Sequence, residues 1–316
     1  MTEPKPTNIA ASILARLANI ARRDGRDFNA VLKQYFQERL LSRLAGSRYR
    51  NSFALKGALL FVALEGDENE HQARSRPTKD IDFEAMQLAS DPGELVRIFK
   101  VIAGTAGDVE DGVAFDPSAV EAETIHDDQQ YQGVRLHIPV TLGKARDRLQ
   151  IDVAFGNPIT PQPEDTAYPT LLDFPRPNLR TYPLETVCAE KFEAAVALGE
   201  LNSRLKDFRD LYVISSTTEF EGEPLRLAFE RTFRSRQTDM REDPAVFSRR
   251  FAEDDTRQRS WAAYRRQHPD DDLPTTFAET IGAIIDFAKP AYAAARTGTN
   301  FEKRWDPARR EWTPAR

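Results

Sequence analysis

The stretch "RPTKDIDF", residues 76 to 83, sets Asp80 and Asp82 two positions apart in a strand-like run. Ile81 and Phe83 alternate with them, so a strand here buries the apolar pair and presents both carboxylates on its other face. In a second run, "DRLQIDVAFG", Leu149, Ile151 and Val153 alternate with Gln150 and Asp152. If the two strands pair, three carboxylates converge on one sheet surface, and their repulsion raises their pKa values unless a cation neutralises them. Mg²⁺ suits such a set, because it takes oxygen ligands and is shared between carboxylates and substrate phosphates. Two such ions can clamp the attacking and leaving oxygens of an in-line displacement at phosphorus. An Asp-X-Asp pair alone is a weak signal; the alternation and the partner Asp152 strengthen it.

A phosphate cradle should accompany this chemistry. In "LKGALL" (55 to 60), Lys56 and Gly57 stand at a turn that opens a helix, where main-chain amides and the helix dipole receive phosphate oxygens. Further on, "YPLETVCAEKFEAAVALGE" is an amphipathic helix with Lys191 between Glu190 and Glu193, an arrangement that exposed local ion pairs also explain. In "NSRLKDFRDLY", Arg204, Asp207 and Asp210 follow at i, i+3 and i+6, with Lys206 four before Asp210. Spacing alone fits a salt-bridged solvent face equally well.

These groups must be carried by an α+β scaffold. Helical periodicity predicts helices over 8 to 23 and 27 to 45, a third from the Lys56-Gly57 turn to about Leu64, and a fourth around 91 to 104. "GVRLHIPVTL" and "DRLQIDVAFG" alternate and are joined by "GKAR", which predicts an antiparallel hairpin. Residues 158 to 183 are proline-rich and are expected to form a connector without helix or ladder. The division expected is a core at 1 to 157, this connector, and a helical C-terminal domain at 184 to 316. Its helices are predicted at 184 to 199, 203 to 217, 224 to 235, 244 to 266 and 275 to 288, and the tail from Pro290 is expected to pack loosely.

The 316 residues carry a net charge of -6, which argues against a protein that coats nucleic acid non-specifically. The single Cys188 lies on the apolar side of its helix and reads as a small core residue; it excludes an intrachain disulfide and fits a reducing cytoplasm. No apolar run approaches the ~20 residues that span a bilayer, so no membrane partner and a cytoplasmic location are expected.

Taken in order, "ARLANIARRDGRDFNAVLKQYFQERLLSRL", "FALKGALLF", "RPTKDIDF", "LQIDVAFGNPITPQP" and "YPLETVCAEKFEAAVALGELNSRLKDFRDLY" resemble the AbiEii/AbiGii family of nucleotidyltransferase toxins, which includes MenT-like toxins and belongs to the DNA polymerase β-like superfamily. The resemblance spans about residues 8 to 215. It implies a nucleotidyltransferase core, built on a mixed β-sheet flanked by helices, and a helical C-terminal domain. It places Lys56, Gly57 and Ala58 at the phosphate-binding turn, where Ala58 replaces the usual serine. It assigns Asp80, Asp82 and Asp152 to metal, Lys191 to the nucleotide phosphates, and Arg204, Lys206, Asp207 and Asp210 to an Arg-X-Lys-Asp-X-X-Asp motif. The activity implied is Mg²⁺-dependent transfer of NMP from an NTP to an acceptor, with the tRNA 3′ end the first choice and Arg231, Arg234 and Arg236 as candidate RNA contacts. A cognate antitoxin is implied as partner. Transfer to a protein or small molecule, or a degenerate core that only binds nucleotide or antitoxin, stand as the alternatives.

Overall fold

The computed structural model of the chain describes residues 8–65, 78–107, 109–127, 131–269 and 272–315. It divides into two compact units, one built from the N-terminal half plus residues 164–181, the other from residues 157–163 and the chain from Tyr182 onward.

The first unit starts with α1 (Ile9–Arg23) and α2 (Phe28–Ala45), capped at their N-termini by the side chains of Asn8 and Asp27. Then come β1 (Phe53–Lys56), α3 (Gly57–Glu65), β2 (Asp80–Ala85), α4 (Pro92–Gly104), β3 (Val113–Phe115), β4 (Glu121–Asp127), β5 (Tyr131–Leu142), β6 (Ala145–Phe155), β7 (Glu164–Ala167) and β8 (Asn178–Thr181). The strands form one mixed sheet in the order β3-β5-β6-β2-β1-β8-β7, with β4 also on β5. β2 runs parallel to β6, and β8 parallel to β1; the other pairs are antiparallel. The expected hairpin is β5–β6, turning tightly between the paired Leu142 and Ala145.

The expected connector is different. Residues 158 to 183 carry β7 and β8, which join the first unit's sheet. Their prolines lie outside the short ladders: β8 sits between Pro177 and Pro183 and pairs Leu179 with Thr166.

Alternation on β2 buries Ile81 and Phe83, and Phe83 packs against Phe53 and Phe99 with ring centroids 5.5 and 6.5 Å away. Helix α2 is buried almost throughout and carries charge inward. Arg43 grips Asp111 through two bonds of 2.7 and 3.0 Å, and Glu38 pairs with Arg39 while accepting the Leu171 N–H at 2.7 Å. Burial pushes the Glu38 carboxyl up to about 7, although Arg39 and the Leu171 amide pull the other way. Its folded pKa thus exceeds the ordinary 4.5, so the folded chain holds an extra proton between those values. This contribution to stability is complete below pH 4.5 and is lost as pH rises through 7. Glu38→Gln mimics the protonated form. Its melting temperature relative to wild type should therefore improve from pH 5 to pH 8, by the equivalent of roughly 2–3 kcal/mol. Thermal scans across that range check it; a relative loss at pH 8 would mean that the ionised Glu38–Arg39 pair is net stabilising.

The second unit contains α5 (Leu184–Leu198), α6 (Leu205–Thr217), β9 (Phe220–Glu221), α7 (Gly222–Ser235), α8 (Arg249–Ala252), α9 (Asp255–Gln267), α10 (Phe277–Thr297), β10 (Lys303–Asp306) and β11 (Glu311–Pro314). Phe192, Phe229, Phe233 and Phe247 gather around Tyr292, with centroids 5.4 to 6.4 Å from it. Cys188 is fully buried, and burial pushes its thiol well above the ordinary value.

Three expectations fail in this unit. The helix expected over 244 to 266 is broken, because Ser248 and Asp254 each cap a new start. α10 runs through Pro290 to Thr297; burial of Phe287, Ala288, Ala291 and Tyr292 outweighs the hydrogen bond that proline forgoes. The tail is also well packed. β10 and β11 form a hairpin whose Trp305 is 1% exposed, donates to the Ser215 carbonyl at 2.6 Å and stacks edge-on to Phe287.

Candidate active site

Strand register places one charged residue from each of five neighbouring strands in a single row. Glu123 on β4 faces Arg135 on β5, Arg135 faces Asp152 on β6, Asp152 faces Asp82 on β2, and Asp82 faces Lys56 on β1. The signs run minus, plus, minus, minus, plus. Asp80 lies in the next row, opposite Gln150. One oxygen from each of Asp80, Asp82 and Asp152 falls within 4.8 Å of the others, and all three side chains are partly exposed. An all-carboxylate donor set at this spacing fits a hard divalent cation.

Lys56 ends β1 and Gly57 begins α3 with a φ of +67°, a conformation open to glycine but costly for other residues. A Cβ on Gly57 would stand 1.9 Å from Asp82 Oδ2, so the N-terminus of α3 opens directly beside the carboxylates. Ala58 is 2% exposed, so its methyl group is packed away from solvent and offers no hydroxyl to a phosphate. Lys56 Nζ lies 3.1 Å from Glu84 Oε2, a buried carboxylate on the same strand face as Asp80 and Asp82.

The charges of the triad are partly answered by protein groups. Arg135 holds Asp152 with Nε–Oδ1 and Nη2–Oδ2 bonds of 2.8 Å each, and Gln150 Nε2 lies 3.3 and 3.4 Å from the two Asp152 oxygens. That pairing raises Arg135 further above its ordinary value. The Thr78 hydroxyl donates to Asp80.

The remaining candidates belong to the second unit. Lys191 on α5 reaches Asp207 at 2.7 Å and Asp210 at 2.8 Å, both on α6. Arg204 pairs with Asp207 at 2.6 Å and Arg209 with Asp210 at 3.3 Å. The solvent-face reading fails for the aspartates, which are buried, and Lys191 is not the exposed lysine that local pairs implied. Burial lowers the Lys191 pKa, but Asp210 and then Asp207 more than reverse this, so the ammonium stays charged. Arg204 and Lys206 are exposed, and Asp210 pairs with Lys191 and Arg209 rather than with Lys206. Among the candidate RNA contacts, Arg231 donates to Thr160, Arg234 pairs with Glu230, and Arg236 is held by Glu193 at 2.7 Å.

Sequence reading missed Arg135, Glu123, Gln150 and Glu84. The first was recoverable: once Gly143 and Lys144 form a two-residue turn, residue 135 must face residue 152. Among the described residues, no helix is long and apolar enough to cross a membrane.

Comparison with known proteins gives the geometry its context. No curated protein sequence is a significant match. Among solved structures, the chain is similar to MenT4, a nucleotidyltransferase toxin from Mycobacterium tuberculosis H37Rv, with 18% identity and a TM-score of 0.48, over 89% of this chain and 99% of that one. It is also similar to JHP933 from Helicobacter pylori, with 11% identity and a TM-score of 0.45, over 86% and 95% of the two chains. The sequence pattern of the nucleotidyl transferase AbiEii toxins, Type IV TA system, matches residues 39–288. With the greater part of its length so matched, the chain belongs to the AbiEii family and is a toxin nucleotidyltransferase.

Proposed function

We propose that this toxin transfers NMP from a nucleoside triphosphate to an RNA acceptor, the tRNA 3′ end, with Mg²⁺ at Asp80, Asp82 and Asp152, and so blocks translation. The observation that carries the reading is the shared register of Asp82 and Asp152, with Asp80 beside them and the Gly57 turn against Asp82. Family membership implies an NTP substrate and an antitoxin partner; the acceptor and the metal are our own reading. When bound, Mg²⁺ would be held by Asp80, Asp82 and Asp152 and would offset negative charge on the triphosphate.

The protein's residues account for the rest. Asp80 and Asp82 provide the anionic anchor at the head of α3, whose first amides receive phosphate oxygens. The acceptor hydroxyl oxygen forms a bond to the α-phosphorus, the bond from that phosphorus to the α–β bridging oxygen breaks, and pyrophosphate leaves. Asp152 takes the hydroxyl proton. Lys191, kept charged by Asp207 and Asp210, is proposed from the family resemblance as a cation for the nucleotide phosphates. The test is incubation of the purified chain with each α-labelled NTP, Mg²⁺ and tRNA. Label on the tRNA 3′ end, lost when Mg²⁺ is chelated, is the expected result. Label on protein, or release of pyrophosphate with unlabelled RNA, would overturn the acceptor.

A further inference from the structure

Asp152 is occupied on both oxygens by the planar fork of Arg135. Bidentate arginine–carboxylate pairs are the strong form of the interaction, and here the two strands hold the partners directly opposite one another. The fork takes one lone pair on each Asp152 oxygen and answers much of the carboxylate's charge, so a cation approaching Asp152 meets competition from the guanidinium. The row also offers Arg135 a second anion: Glu123 faces it from the other neighbouring strand. Arg135 thus stands between two carboxylates, one in the triad and one outside it.

We infer that Arg135 is the resident counter-ion of Asp152 and competes with a divalent cation for its carboxylate oxygens, so that this side chain sets how tightly the triad binds metal. The inference rests on the metal-binding reading of the triad. It makes Arg135 a positioning residue: by holding Asp152 it delays assembly of the full donor set, and by turning toward Glu123 it releases Asp152 without leaving an unpaired cation.

The experiment is a Mn²⁺ titration of the full-length chain, followed by the paramagnetic signal of the free ion, with circular dichroism confirming the fold of each variant. Arg135→Gln should bind Mn²⁺ about tenfold more tightly than wild type, the effect of losing a charge-assisted pair. Arg135→Lys keeps the charge and loses the fork, and should tighten binding roughly threefold. In an Asp152→Asn background neither substitution should matter, because the shared ligand is gone. Tighter binding by Arg135→Gln with Arg135→Lys equal to wild type would reduce the effect to overall charge and overturn the inference. Weaker binding by both would show that Arg135 holds Asp152 in place for the metal, which also overturns it. Failure of the underlying reading looks different: Mn²⁺ uptake absent from every form, or unaffected by the Asp80→Asn/Asp82→Asn pair.

Discussion

Asp82→Asn should lower NMP transfer by about 10²–10³-fold without loss of fold. Asp82 is the fourth of the five charges in the row, between Asp152 and Lys56. Asparagine keeps the size and one acceptor but removes the charge proposed to anchor a cation. Gly57→Ala reaches the same contact by another route. Its Cβ would meet Asp82 Oδ2 at 1.9 Å, and the +67° φ adds about 1–2 kcal/mol of strain for alanine. That variant should lose both stability and transfer. Combined with Asp82→Asn it should lose little further activity, since both changes disable one arrangement. Single-turnover assays with labelled NTP, and growth of cells expressing each form, provide the readouts. Full activity in Asp82→Asn would remove the triad from the reaction.

What the sequence revealed of this arrangement follows from how local the signals are. The alternation in "DIDF" and "LQIDV" fixes which face each aspartate uses, because a strand has a period of two. The pairing of β2 with β6 is parallel and joins segments some seventy residues apart, so nothing local specifies that Asp82 faces Asp152. β7 and β8 went unseen because four-residue strands framed by prolines leave almost no periodic signal. Pro290 misled in the opposite sense: its residue type argues for a stop, and the buried aromatic face of α10 overrides it. In the tail, Trp305 and Trp312 outweigh a polar composition, since two large rings on paired strands close over Phe287. Arg204 to Asp210 shows the limit of helical spacing. The i, i+3, i+6 pattern names neighbours, but a lysine on another helix draws Asp207 and Asp210 into a buried cluster while Arg204, at the cap, stays exposed.

That lysine yields the other large effect. Lys191→Met should destabilise the second unit by about 3–5 kcal/mol, the usual cost of stranding buried charge. Asp207 keeps Arg204 and Asp210 keeps Arg209, yet Lys191 is the group that bridges the two carboxylates at 2.7 and 2.8 Å. For a unit of this size the loss corresponds to a fall in melting temperature of roughly 10 °C. Removing one carboxylate along with the lysine, as Lys191→Met/Asp207→Asn, should recover part of it, because the other partner of Asp207, Arg204, is exposed and returns to solvent. On the phosphate role proposed for Lys191, transfer activity should not return in the double variant, because its ammonium is still missing. The two readouts separate the roles of the residue. An unchanged melting temperature in Lys191→Met would leave Lys191 only its phosphates. Activity restored together with stability would make it a structural ion, and pyrophosphate would then depart without its help.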